Sequence, residues 1–204
     1  MKATEEGDDM TSNIKDWRKE KYIPAMKAAG LKEGDTIIDY GCSVGNYTIP
    51  LAQLAGENGR VYAVDTNSAV FSDVRKRVRK AGLDNVITMI PERGYRLDIE
   101  DGTVEGFIIY DLIHFLKSDG ILVSVLSECR RLLREGGILS ILPFHLSPQE
   151  KEEIWRIVEK EGFAPEGVAE RVGLHFEMQR FYGYESEDIS RYERGDIKFF
   201  KRKR

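Results

Sequence analysis

Residues 36–52, TIIDYGCSVGNYTIPLA, pass from a short apolar, β-type run through an acid and two glycines into the start of a helix. A strand that feeds a tight glycine turn and then a helix is the opening unit of a nucleotide-binding α/β sheet. Its glycines let a ligand approach the backbone, and the first turn of the helix offers unpaired N–H groups and a positive dipole end to an anion. The dinucleotide spacing G-x-G-x-x-G would put glycine at positions 43 and 46, where the chain has Ser43 and Asn46. A pyrophosphate is therefore a poor fit, and a nucleotide-dependent oxidoreductase loses its main support. The helix begins near Tyr47, with Pro50 in its first turn.

Outward from this stretch, apolar runs and helical periods alternate. TIID, RVYAVD, NVITMI, GFIIYDL and GGILSILPF are nearly continuous in apolar residues, as strands buried on both faces should be. Between them, one helix is expected from Ser68 as cap through Phe71, Val74, Val78 and Ala81 to Gly82, and another from Ile121 to a stop at Gly136–Gly137. A third opens at SPQE, where Ser147 and Glu150 have capping-box spacing and Pro148 takes the first helical position, and ends near Gly162.

The alternation predicts a Rossmann-like, doubly wound α/β sheet of about seven mostly parallel strands with helices on both faces. The end differs, because EGVAERVGLHFEM and GDIKFFKRKR follow one another without a buried helix between them, so the sheet should close with a C-terminal antiparallel strand. Before the first strand, Ile14, Trp17, Tyr22, Ile23 and Met26 suggest an amphipathic helix broken near Pro24 and lying over the site as a lid. Residues 1–30 are thus read as a tail and helical lid segment, and 31–204 as one domain.

A chain of 204 residues, 41% hydrophobic and 32% charged, suffices for one sizeable core. Its net charge of −4 does not fit a protein whose whole surface tracks nucleic acid. The basic end KFFKRKR reads as a final strand with one buried face. Cys42 and Cys129 form no C-x-x-C pair, no apolar run approaches the roughly 18 residues of a membrane span, and the acidic opening MKATEEGDDM is unlike a signal peptide. A soluble cytoplasmic protein without membrane or nucleic-acid partners is expected. The three histidines are too dispersed for a metal site to be read from spacing, so no metal is expected.

Ligands on such sheets bind beyond the carboxyl ends of the strands. There the sequence places Asp39 with Gly41, Cys42, Ser43 and Gly45 after the first strand, Asp65 with Thr66 after the second, Glu92 after the third, and Tyr110 with Asp111 at the fourth. Asp65 stands at the spacing from Gly45 at which an acid reaches ribose hydroxyls. Ser43 is expected to hold an ordinary backbone conformation, and the Cys42 thiol, near a helix start, to be reactive.

IIDYGCSVGNYTIPLA resembles the first motif of class I S-adenosylmethionine-dependent methyltransferases, D-x-G-x-G-x-G, and VYAVD stands in the place of their second-strand acid. The likeness continues through NVITMIPER, DGTVEGFIIYDLIHFL and ECRRLLREGGILSIL, in an order most similar to the small subgroup related to quinone-biosynthesis methyltransferases. Ser43 in place of the middle glycine and Glu105 before the fourth strand depart from the pattern. The resemblance implies S-adenosylmethionine as cofactor, S-adenosylhomocysteine as product, and in-line methyl transfer to a small molecule; a non-catalytic cofactor-binding protein on the same fold is the alternative. It implies that Asp39 orients the methionine amine, that the N–H groups of Gly41 to Asn46 face the methionine part, and that Asp65 binds the ribose. Glu92, with Arg93 beside it, would take the adenine amino group, and Tyr110 and Asp111 would flank the sulfonium. Tyr22, His114, Phe144 and His145 are the candidates for the acceptor side, with His145, His114 and Asp111 as possible bases.

Overall fold

In the computed structural model, which describes residues 13–93, 95–117, 120–176 and 192–204, the apolar runs become strands β1 (Thr36–Tyr40), β2 (Arg60–Val64), β3 (Val86–Met89), β4 (Val104–Tyr110), β5 (Leu133–Leu142), β6 (Phe163–Leu174) and β7 (Arg194–Arg202). They form one sheet in the order β3-β2-β1-β4-β5-β7-β6. β1 to β5 pair in parallel, while β7 runs antiparallel to both β5 and β6. The chain winds outward from β1 to β3 on one side and from β4 onward on the other, which leaves the crevice at the carboxyl ends of β1 and β4.

The helices are α1 (Ile14–Trp17), α2 (Ile23–Ala28), α3 (Thr48–Ala55), α4 (Phe71–Lys80), α5 (Ile113–Leu116), α6 (Ile121–Leu132) and α7 (Pro148–Lys160). Successive strand residues point to opposite faces, and here both faces are covered. Ile37, Ile108, Ile138 and Phe199 pack with Trp17, Tyr22, Met26 and Leu51, whereas their neighbours Ile38, Ile109, Leu139 and Phe200 pack with α6 and α7. That two-sided burial is the physical reason the strands read as unbroken apolar runs. It also corrects the reading of the basic end: β7 is an interior strand buried on both faces, and Lys198 lies 5.0 Å over the Trp155 ring.

Several helix ends differ from expectation. Asn67, not Ser68, provides the cap before α4, its side chain accepting from Ala69 N at 3.1 Å ahead of a 3₁₀ turn over Ser68–Val70. α6 stops at Leu132 instead of at the glycine pair, because Leu133 is already paired with Val104 and fully buried as the start of β5. Glu105 lies inside β4, where its carboxylate accepts from Thr36 N at 2.9 Å. The helix before β1 is not broken at Pro24. A π turn over Arg18–Tyr22, with Ile23 N–H bonded to Arg18 O, carries it past the proline. α7 opens with the expected capping box of Ser147 and Glu150. Among the described residues no helix is long and apolar enough to cross a membrane.

Candidate active site

The loop from β1 to α3 is shaped by contacts that its residue types alone do not reveal. Gly41 has φ +86°, which glycine accepts without strain, and a Cβ there would stand 2.7 Å from Leu112 Cδ2 in the loop after β4, so a side chain would press the two loops apart. The N–H groups of Gly41 and Cys42 both donate to Val64 O, at 2.8 and 2.9 Å, which ties the loop to the end of β2. Ser43 sits at φ +48°, in the left-handed region, contrary to the ordinary conformation expected of it. Its N–H donates to Asp65 Oδ2 at 2.9 Å, a charge-assisted bond that holds the strained residue in place. Asp65 Oδ1 accepts from Asn67 N at 2.9 Å. Each carboxylate oxygen can accept more than one hydrogen bond, so Asp65 keeps acceptor capacity for a ligand.

Asp39 is only 3% exposed, and its Oδ2 accepts from Thr48 Oγ1, in the first turn of α3, at 2.5 Å. Burial pushes its pKa up to about 7; the Thr48 hydrogen bond works against that rise and the charge of Asp65 adds to it. Cys42 is buried with Ile49, Ala63, Phe71, Val74 and Val78, and burial drives its thiol far above the ordinary range. The expectation of a reactive thiol is therefore corrected: a sulfur packed among apolar side chains is inert, whatever helix start lies nearby.

These residues line a cavity of about 480 Å³ at the carboxyl edge of the sheet. Of the residues singled out from sequence, Asp39, Gly41, Cys42, Ser43, Asn46, Asp65, Thr66, Tyr110, Asp111 and His114 form its wall, and Gly45 is buried in the loop beneath them with φ +87°. Glu92 and Arg93 are exposed and do not line it. A turn closed by Glu92 N–H to Arg96 O and Tyr95 N–H to Glu92 O, at 2.7 and 3.0 Å, brings Tyr95 to the wall in their stead. Tyr22 is fully buried behind the cavity, its ring centroid 5.2 Å from that of Tyr47 and 6.2 Å from that of Tyr110, so it packs in the core and does not line the cavity. Phe144 is also buried, its ring 4.8 Å from that of His175.

Two supports escaped the sequence reading. Glu128 Oε1 accepts from Leu97 N at 2.7 Å, and Arg131, paired with Glu128, donates to Leu97 O and Ile99 O, each at 2.9 Å, so the connection after β3 is clamped to α6. On the opposite side, Tyr47 Oη donates to Leu174 O and accepts from Leu174 N, both at 2.7 Å, which fixes the end of β6 against the cavity.

The histidines converge at the mouth. His175 Nδ1 lies 2.5 Å from Asp111 Oδ2, and His145 Nε2 lies 3.7 Å from Asp111 Oδ1. The His145 ring is 4.8 Å from that of His114 and 4.7 Å from that of His175. Asp111 and His145 both hold left-handed backbones, at φ +54° and +60°. His175 could have been found from direction: β6 pairs with β7 and β7 with β5, each antiparallel, so β6 runs the same way as β5 and its end falls on the ligand edge.

The geometry sets acids from the ends of β1, β2 and β4 around one cavity, beside a glycine loop that leads into a helix. A family model described as a methyltransferase domain matches residues 37–137. The chain is 24% identical over 172 residues to the ubiquinone/menaquinone biosynthesis C-methyltransferase UbiE of Klebsiella pneumoniae, covering 78% of this chain and 67% of that protein. It is 28% identical over 123 residues to the demethylmenaquinone methyltransferase of Geobacillus stearothermophilus, covering 60% and 49%. The matches span from about a third to two thirds of the length of these curated relatives. The crystal structure of a SAM-dependent methyltransferase from Aquifex aeolicus superposes with a TM-score of 0.63 at 25% identity, over 86% of this chain and 87% of that one. The motif order, the strand order and these likenesses agree: the chain belongs to the class I S-adenosylmethionine-dependent methyltransferases and is related to the quinone-biosynthesis members of that family.

Proposed function

We propose that this chain transfers the methyl group of S-adenosylmethionine to a small, largely apolar acceptor by in-line displacement. The observation that carries this reading is one cavity that gathers Asp39, Asp65 and Asp111 with residues of the Gly41–Asn46 loop. The residues present fit the cofactor's chemistry. A buried carboxylate, Asp39, suits an ammonium group; Asp65, with acceptor capacity left, suits a vicinal diol; and Gly41, where a Cβ would already clash with Leu112, allows close approach to the backbone. When bound, S-adenosylmethionine supplies a methyl group on a positively charged sulfur.

The chain's own contribution is positioning and exclusion of water. Asp39 holds the amino-acid end and Asp65 the ribose, while Val70, Pro91 and Tyr95 offer an apolar wall in the absence of an acid at that end. Tyr110 and Asp111 stand at the reacting end, where His114, Phe115, Leu174 and Phe176 provide an aromatic and aliphatic mouth for the acceptor. Phe115 is 57% exposed at that mouth, which suits a ligand with a planar apolar body better than a highly charged one. The curated relatives named for quinone methylation support the same class of acceptor. Two free, buried thiols support a cytoplasmic place of action.

Calorimetry with S-adenosylmethionine, S-adenosylhomocysteine and NAD tests the cofactor, and S-adenosylhomocysteine formation with a panel of quinols and phenols tests the transfer. Binding of the first two in preference to NAD, with turnover on at least one acceptor, is expected. Equal or stronger NAD binding overturns the reading, and tight cofactor binding without turnover on any acceptor assigns the chain a non-catalytic role.

A further inference from the structure

We propose that Asp111, His145 and His175 form a site for one divalent transition-metal ion at the mouth of the cavity. The ligand atoms of the three side chains all lie within 4.8 Å of one another, and the two nitrogen–carboxylate separations are 2.5 and 3.7 Å. Donors bound to zinc at about 2.0–2.2 Å in a tetrahedral shell stand roughly 3.4 Å apart. The observed separations straddle that value, so the three donors stand near the spacing of one metal shell.

Two further observations point to a ligand. Asp111 Oδ1 is buried and has no hydrogen-bond partner among the described residues, a costly state for a carboxylate oxygen that a cation would relieve. Asp111 and His145, from the loops after β4 and β5, both hold left-handed backbones, a conformation that few non-glycine residues adopt and that Asp and His adopt more readily than most. Their side chains face one another across 3.7 Å, and the third, His175, follows directly from the end of β6.

Two imidazoles and one carboxylate select zinc or a neighbouring first-row ion over magnesium or calcium, which prefer all-oxygen shells. Three protein ligands leave at least one position open. Because Asp111 is also part of the cavity wall, an acceptor in the cavity can place an oxygen on the ion. A hydroxyl so bound loses its proton to solvent at a lower pH and becomes an oxygen nucleophile. This statement about the acceptor rests on the methyl-transfer reading; the metal site does not.

The full chain, stripped with EDTA and dialysed, is titrated with Zn²⁺ by calorimetry and with Co²⁺ by visible absorption. One ion per chain is expected, with Co²⁺ bands that Zn²⁺ abolishes. His145→Ala, His175→Ala and Asp111→Asn should each weaken Zn²⁺ binding by roughly tenfold or more, while His114→Asn stays within about twofold. S-adenosylhomocysteine binding, measured on the two His→Ala variants, shows that they are folded and reports the cofactor reading separately. Absence of stoichiometric Zn²⁺ binding, or its survival in both His175→Ala and Asp111→Asn, overturns the proposal. Zn²⁺ binding in a chain that fails to bind S-adenosylhomocysteine upholds the metal site and sinks the cofactor assignment instead.

Discussion

Asp39 couples the proposed cofactor site to pH in a way that can be worked through. Its carboxyl titrates at about 7 in the folded chain against an ordinary 3.8, mainly because it is buried. Over the interval between those values the folded state holds a proton that the unfolded state has lost. The stability this confers is therefore complete below pH ~4 and is lost as pH rises through ~7. At about 1.4 kcal/mol per pH unit the whole effect is on the order of 4 kcal/mol. A ligand ammonium beside Asp39 reverses the preference and favours the charged carboxylate, so binding must expel the proton wherever the free protein carries one. The affinity for S-adenosylhomocysteine should rise up to about tenfold per pH unit between pH ~5 and ~6.5 and level off above ~7.5. Calorimetry in two buffers of different ionisation enthalpy measures the linkage directly: close to one proton released per ligand at pH ~5.5, and almost none at pH ~8. Asp39→Asn should bind weakly with no pH dependence over that range, and should melt higher than the parent at pH ~8 but not at pH ~5, because it removes a buried charge only where that charge exists. A flat affinity profile in the parent chain, or proton uptake on binding, would refute both the environment assigned to Asp39 and its pairing with an ammonium.

Asp65→Ala should weaken S-adenosylhomocysteine binding by roughly 1.5–3 kcal/mol, the range for hydrogen bonds to a charged group, with an unchanged far-ultraviolet circular dichroism spectrum; unaltered affinity in calorimetry would remove the ribose role. Ser43→Gly should stabilise the fold by up to about 1 kcal/mol in urea titrations, since glycine accepts φ +48° without strain, whereas Ser43→Val should lose both stability and binding. Arg131→Ala should cost about 2 kcal/mol by freeing the connection after β3. Burial raises the Glu128 pKa, but the bonds from Arg131 and Leu97 more than offset it and hold the carboxyl below its ordinary value. The stability this pair confers is thus present above the ordinary carboxyl range and lost as pH falls through the lowered value. Acid titration of the parent and of Glu128→Gln, followed by tryptophan fluorescence, checks that direction.

The legible part of the fold was the part in which side-chain chemistry and strand burial coincide. Ile37 and Ile38, or Phe199 and Phe200, are adjacent apolar residues that only a sheet covered on both faces can bury, so the sequence had to show continuous runs. The acids at the strand ends were legible for the complementary reason, since Asp39, Asp65 and Asp111 interrupt those runs where the backbone leaves the sheet. What escaped depends on contacts distant in sequence. Ser43 is forced left-handed by a carboxylate that lies 22 residues away, and no local propensity records that bond. Tyr95, not Glu92, reaches the cavity because the turn between them is closed by backbone hydrogen bonds. The cluster of Asp111, His145 and His175 gains its third member only once the direction of β6 is known.

The distribution of strain ties these missed features together. Among the described residues, five non-glycine side chains have positive φ, and four of them, Ser43, Tyr95, Asp111 and His145, stand in the cavity wall or at its mouth. A left-handed conformation at such residues costs roughly 1–2 kcal/mol each, so the edge of the sheet carries several kcal/mol that ordinary folding would have avoided. Three of these residues are visibly restrained: Ser43 by Asp65, Tyr95 by its bond to Glu92 O, and Asp111 by His175. The sheet beneath holds the loop anchors, since β1 pairs in parallel with both β2 and β4. With the left-handed residues gathered on one edge, Asp65 and Asp111 act in the structure as well as standing as the proposed ligand contacts. For that reason the decisive experiments pair a stability measurement with a ligand-binding one: a variant that merely loosens the edge lowers both, whereas one that removes a ligand contact and leaves the restraints intact lowers binding alone.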